Sequence, residues 1–144
     1  MIIFCDTSVL VAGCVRGHPH YNRARPIFEC AQLKADEFFI SSHSLAEVYA
    51  SLTRLPVQPK IVPAEAKVIL TTNILPLFKR VQVSAKLYEA AINRCVELGL
   101  SGGIIYDALL LLCAKSIHAE RIYTFNVRDF QRVMPEAAER ISAP

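Results

Sequence analysis

The chain opens Met1-Ile2-Ile3-Phe4-Cys5-Asp6-Thr7-Ser8, and no other stretch restricts the fold as tightly. Apolar residues run unbroken from Met1 to Cys5, β-branched and aromatic ones among them. Such a run predicts a short strand covered on both faces. It stops on a carboxylate, Asp6, and the hydroxyls of Thr7 and Ser8 are suited to capping a helix through Val9 to Ala12. A strand that hands over directly to a helix begins a βα unit. Open α/β sheets bind ligands at the carboxyl ends of their strands, so Asp6 is a charge placed where function is usual.

The rest of the chain repeats that alternation. Pro19 to Gln32 reads as a helix with Ile27, Phe28 and Ala31 inward, Arg23 and Arg25 outward, and Pro26 bending it. Phe38 to Ile40 reads as a strand, followed by Ser41-Ser42 as a cap and a helix from about His43 to Leu55 that stops at Pro56. Val57 to Pro63 is a surface turn, and apolar periodicity resumes from Ala64 to near Pro76. Phe78 to Val83 gives a third strand, and Ser84 caps a helix that Gly99 ends. A helix from Ile104 to about Ile117, a strand over Arg121 to Phe125 and a weak edge strand over Arg140 to Ser142 complete the series. Strands separated by helices predict a three-layer α/β/α sandwich around a mostly parallel five-stranded sheet, a single domain over residues 1–144. A hydrophobic content of 53% is far above that of disordered chains. The start of the chain meets Asp6 too early for a signal peptide, and the apolar run Ala108 to Ala114 is too short to span a bilayer, so no membrane role is expected. Five cysteines without C-x-x-C spacing, Cys5 and Cys113 inside apolar runs, point to a reduced, cytoplasmic setting.

The informative pattern is where acids are scarce. Asp6 is the only carboxylate before Glu29, Glu47 the only one between Glu37 and Glu65, and Asp107 the only one between Glu97 and Glu120. Each lies in or beside an apolar element, where an unpaired charge costs several kcal/mol or shifts its pKa. Three such acids can share one partner, a divalent cation. Asp107 lies in a helix that is apolar nearly all round, with no cation at helical spacing. The bland reading for it is an acid favoured near a helix N-terminus. Glu47 completes Ser44-x-x-Glu47, the pattern of a capping box, and shares a face with His43, Ser51 and Arg54. A fourth candidate, Asp129, follows the strand end Thr124-Phe125-Asn126, where a plain turn is the competing reading.

Taken together, Asp6-Thr7-Ser8, Glu47 on the third helix, Asp107 after Gly102-Gly103, and Thr124-x-Asn126-x-x-Asp129-Phe130 resemble the PIN-domain nucleases. In size and order the chain is most similar to the VapC-type toxins of toxin–antitoxin systems, and the likeness covers essentially all of it. The resemblance implies a parallel five-stranded sheet, a Mg²⁺ or Mn²⁺ site and endoribonuclease activity. It carries catalytic and metal-binding roles onto Asp6, Glu47, Asp107 and Asp129, with Thr7 and Asn126 as polar support. Many relatives have their last acid where Asn126 stands, so either Asn126 or Asp129 completes the site. The resemblance also implies a small antitoxin partner and a homodimer formed through helices of the first half.

The chemistry is consistent with those roles. Carboxylates about 5 Å apart repel by about 3 kcal/mol per pair at an effective dielectric of 20, which a cation relieves. All-oxygen ligands suit Mg²⁺ or Mn²⁺ rather than zinc, and no Cys/His spacing for zinc is present. A net charge of +3 neither demands nor excludes a nucleic-acid partner. Basic residues cluster in acid-free stretches, Arg16, His18, His20, Arg23 and Arg25 between Thr7 and Phe28, and Lys67, Lys79, Arg80 and Lys86 between Ala66 and Tyr88. Arg128 adjoins Asp129. These are candidates for RNA phosphate contacts, of which Arg16, Arg23, Arg25 and Arg128 lie nearest the motifs. A strand-Asp phosphatase would need a second acid at Ser8, which excludes that class. The competing reading is a catalytically inactive PIN-like module that binds RNA or protein.

Overall fold

A computed structural model describes residues Met1–Pro144. Five strands, β1 (Ile2–Cys5), β2 (Glu37–Ser41), β3 (Lys79–Val81), β4 (Arg121–Tyr123) and β5 (Ile141–Ser142), form one sheet in the order β3-β2-β1-β4-β5. Every neighbouring pair is parallel. The opening strand β1 is central, and its side chains divide as a doubly covered strand requires. Ile3 and Cys5 join Phe38 and Ile40 in one core, whereas Phe4 joins Val81, Ile122 and Ile141 in the other.

Helices α1 (Thr7–Cys14), α2 (Tyr21–Leu33), α3 (Ser42–Arg54) and α4 (Pro63–Ile69) supply the first core, together with a π-helical turn over Leu70–Ile74. Helices α5 (Ala85–Leu98), α6 (Ile104–Ser116) and α7 (Val127–Val133) supply the second. The result is the expected three-layer α/β/α sandwich. Helices α1 and α2 approach so closely that a Cβ on Gly13 would lie 2.1 Å from Cε2 of Phe28. Phe28 is itself wedged edge-on against Phe78, with ring centroids 5.1 Å apart. Pro26 sits inside α2 on an exposed position, and the helix runs on past it.

Local departures from the sequence reading cluster at the carboxyl edge of the sheet. Asp6, not Thr7 or Ser8, occupies the N-cap position of α1, and its backbone oxygen accepts from Val9 N at 3.1 Å. Both hydroxyls belong to the first helical turn and are free for other partners. The Ser44–Glu47 capping box does not form. The expected Ser41-Ser42 cap does form, through Ser41, which accepts from His43 N at 3.0 Å although β2 runs on through it, and Ser44 lies a turn further in. Strand β4 ends at Tyr123, two residues short of Phe125, and the stretch for which a turn was the competing reading is helix α7. Phe130 and Val133, at helical spacing and fully buried, drive that helix. The single periodic stretch expected from Ala64 to Pro76 is divided between α4 and the π-helical turn.

An acidic cleft at the carboxyl edge of the sheet

Because β1 and β4 are adjacent and parallel, their ends deliver Asp6 and the Thr124-Phe125-Asn126 segment to one place. Asp6 is 6% exposed, yet it has hydroxyl rather than cationic partners. Its Oδ2 accepts from Ser8 Oγ at 2.6 Å and from Thr124 Oγ1 at 2.8 Å. Each hydroxyl in turn accepts a backbone N–H from the segment after β4, Phe125 N to Ser8 Oγ at 3.1 Å and Asn126 N to Thr124 Oγ1 at 2.9 Å. Two short relays therefore fasten that segment to the Asp6 carboxylate. They also bring the Asn126 side chain toward α6, where Nδ2 donates to Asp107 Oδ2 at 3.4 Å.

Glu47 reaches the same cleft from the middle of α3, a helix whose register is set by Val48 and Leu52 in the core. Its Oε1 lies 3.7 Å from His43 Nε2, one turn earlier. That separation is too long for a hydrogen bond, and Glu47 Oε1 is buried without a partner, as is Thr7 Oγ1 beside it. Asp6, Thr7, Ser8, Glu47, Asp107 and Asn126 line an open cleft of about 600 Å³. His18, His20 and Phe125 form part of its wall.

Gathering like charges in a partly desolvated place raises their proton affinity. Burial pushes the Asp6 carboxyl up, against the opposing effect of the Ser8 and Thr124 hydroxyls. Burial also raises Glu47, with His43 opposing and Asp6 reinforcing. Asp107 is pushed up to about 7, first by burial and then by the charges of Asp6, Asp129 and Glu47. The acids thus act on each other across the cleft without a compensating Arg or Lys. A hard divalent cation fits this set of oxygen donors, two of which are buried and unpartnered. No three acidic, His or Cys side chains are already drawn to ligating distance, so the site is an open cleft and not a closed cage.

Of the four acids singled out in the sequence, three line the cleft. Asp129 does not line it. It stands in the first turn of α7, its Oδ1 3.4 Å from Arg132 Nη1, and reaches the site through its charge on Asp107. Asn126 occupies the fourth place. The structural roles of Ser8 and Thr124 were not legible as site contacts, because both depend on β1 and β4 being neighbours. The nearest signal was the run of hydroxyls flanking each strand end. Among the basic residues, Arg23 donates to the Pro144 carbonyl oxygen and lies over the Phe125 ring, 5.3 Å from its centroid. Arg25 faces Glu29 at 3.9 Å, whereas Arg16 and Arg128 are exposed.

Comparison with known proteins agrees with this geometry. The family model described as PIN domain matches residues 3–134. The chain is 32% identical to Ribonuclease VapC27 of Mycobacterium tuberculosis over 80% of this chain and 78% of that protein. It is 32% identical to Ribonuclease VapC40 of the same species over 94% of this chain and 91% of that protein. In fold it is similar to Mycobacterium tuberculosis VapC20, described as a Sarcin-Ricin loop cleaving toxin, with TM-score 0.70, 21% identity, and 86% and 89% of the two chains covered. It is equally similar to VapBC2 from Rickettsia felis, solved bound to a DNA fragment from their promoter, with TM-score 0.70, 20% identity, and 100% and 99% covered. With its acids at the carboxyl edge of a β3-β2-β1-β4-β5 parallel sheet, the chain belongs to the PIN domain family and is similar to the VapC ribonucleases within it.

Proposed function

We propose that this chain is a divalent-metal-dependent endoribonuclease that hydrolyses RNA phosphodiester bonds as the toxin of a VapBC-type toxin–antitoxin pair. The observation that carries the reading is the convergence of Asp6, Glu47 and Asp107, from three distant segments, on one cleft without an Arg or Lys to compensate their charge. The ribonuclease names of the two relatives support the activity, and the VapBC description of the Rickettsia felis neighbour supports an antitoxin partner. A homodimer belongs to the same reading. Action on cytoplasmic RNA belongs to it too.

In this reading Asp6, Glu47 and Asp107 hold Mg²⁺ or Mn²⁺, Asn126 supports Asp107, and Asp129 adds negative charge from outside the cleft. Such an ion supplies Lewis-acid activation of water and charge neutralisation at the phosphodiester. The protein's own part is to aim the ligands. Ser8 and Thr124 both hold Oδ2 of Asp6 and so fix the orientation of its carboxylate at the cleft. Thr7 Oγ1 and Glu47 Oε1, buried and unpartnered, are donors waiting for a ligand. His18 lines the cleft and Arg23 lies over Phe125 in its wall, where a cation can meet an RNA phosphate.

The test is cleavage of a mixed-sequence RNA with and without Mg²⁺ by the wild type and by Asp6→Asn. Metal-dependent cleavage by the wild type alone is the expected result. Equal inactivity of both proteins would favour the non-catalytic module.

A further inference from the structure

The stretch Ile141–Pro144 runs beside the segment that follows β4, and its own strand holds it weakly. β5 is two residues long and meets β4 only through Ile122 with Ile141 and Tyr123 with Ser142. One bond continues past the ladder, from Thr124 N to Ser142 O at 3.0 Å. An edge strand this short frays unless the chain beyond it is tied down. The tie is Arg23, in the first turn of α2. Its Nε and Nη2 both donate to the Pro144 carbonyl oxygen, at 3.3 and 3.1 Å, between residues 121 positions apart. The same guanidinium lies over the Phe125 ring, against which His20 stacks with centroids 4.4 Å apart. Arg23 pairs with no acidic side chain, so its fork is committed to one oxygen and one ring.

We propose that Arg23 is a positioning residue, which clasps Pro144 to Phe125 and so straps Ile141–Pro144 across Thr124–Asn126, fixing where that segment meets the acids. The proposal rests on the ribonuclease reading above and adds to it a residue that acts through the backbone. Thr124 is the junction. Ser142 holds its N–H, while its Oγ1 donates to Asp6 and accepts from Asn126 N. Asn126 in turn donates to Asp107. A strap that slips therefore moves Thr124 and Asn126 together, and a misplacement of about 1 Å at a reacting centre costs up to about 100-fold in rate. Lysine cannot replace the fork. A single ammonium on a flexible stem does not aim two coplanar N–H groups at one oxygen while lying flat on a ring. Nη1 takes no part in the clasp and stays available to a phosphate. The two roles make different demands, charge for the phosphate and planar shape for the clasp.

The experiment compares the wild type with Arg23→Lys, with a chain shortened to end at Ser142, and with both changes together. In EDTA, amide hydrogen exchange at Phe125 and Asn126 is expected to quicken by about 10-fold in each, the worth of one charge-assisted hydrogen bond. Exchange at Leu111, in the middle of α6, should stay as it is. Should the shortened chain also exchange faster at Leu111, Arg23→Lys alone decides. In Mg²⁺, kcat for RNA cleavage should fall by about 10-fold with KM nearly unchanged, the lower end of what loss of an outer partner costs. The combined variant should be no worse than either single one, because both changes break the same clasp. Unchanged exchange at Phe125 and Asn126, or faster exchange with kcat untouched, would overturn the proposal. Losses that add in the combined variant, or a rise in KM alone with the shortened chain normal, would overturn it too and leave Arg23 a plain phosphate contact. The nuclease reading fails separately. A wild type that never cleaves in Mg²⁺ would discard the activity, and the exchange rates would still decide the clasp. Normal exchange and cleavage in every variant would keep the activity and discard the clasp.

Discussion

The two edges of the sheet treat their charges in opposite ways. At the amino edge each acid has a cation or a backbone N–H beside it. The Met1 ammonium donates to Asp36 at 2.6 Å, Ile2 N donates to Glu120 at 3.0 Å, and Lys79 pairs with Glu37 across β2 and β3. These groups are exposed, and Lys79 holds the Glu37 carboxyl below its ordinary value. At the carboxyl edge Asp6, Glu47 and Asp107 are partly or wholly buried, face each other, and all titrate above the ordinary carboxylate range. One edge lowers the free energy of the folded chain slightly, and the other raises it. Concentrated like charge without a counter-charge is a feature that folding alone would remove, and it marks the site.

The largest effect that would break the comparison comes from removing an acid of the cleft. Asp6→Asn and Asp107→Asn should each lower the initial rate of RNA cleavage in Mg²⁺ by more than the ~100-fold reached by loss of an outer-sphere partner. Asp36→Asn at the other edge should leave that rate unchanged. A smaller loss is expected from Thr124→Val, which keeps the shape but deletes the hydroxyl that holds Asp6 and accepts from Asn126 N. About 10- to 100-fold in rate, with metal affinity falling in parallel by titration calorimetry, is the anticipated outcome.

Stability sharpens the contrast further. Asp107 titrates near 7 when folded and in the ordinary carboxylate range when unfolded, so between those values the folded chain binds more protons. The metal-free protein should therefore lose stability as pH rises from about 4 to 7, the reverse of a salt-bridged acid. Urea midpoints in EDTA should be higher at pH 5 than at pH 8, and Asp107→Asn should raise the pH 8 value. Mg²⁺ should stabilise the wild type more at pH 8 than at pH 5, because it replaces the proton. A pH-independent midpoint would show that the cleft acids do not burden the fold. The smallest effect belongs to the amino edge. Lys79→Ala should leave the urea midpoint almost unchanged, since the pair is exposed and screened by solvent.

Much of this contrast was legible in the chain before folding. The unbroken apolar run ending at Asp6 predicted a two-sided strand, and β1 is central with Phe4 and Cys5 fully buried on opposite faces. The isolation of Glu47 and Asp107 in apolar surroundings pointed to the cleft that both line. Local chemistry misled where two roles suit one residue. Ser44-x-x-Glu47 has the letters of a capping box, but the Ser41-Ser42 pair, equally legible as a cap, supplies it through Ser41 and leaves Glu47 for the site. Asp129 and Asn126 lie three residues apart, and only the turn into α7 shows that the amide faces the cleft while the acid faces Arg132.

The sequence by itself determined the layers, the central strand and three of the acids, because side-chain periodicity and the cost of burying a lone charge act within a few residues. Tertiary structure alone decided what those acids touch. The hydroxyls of Ser8 and Thr124 meet on Asp6 only because β1 and β4 lie side by side in parallel, and the rings of His43 and Tyr106 meet only because α3 and α6 cover opposite faces of one sheet edge. Contacts between segments a hundred residues apart are set by strand order, which no local pattern records.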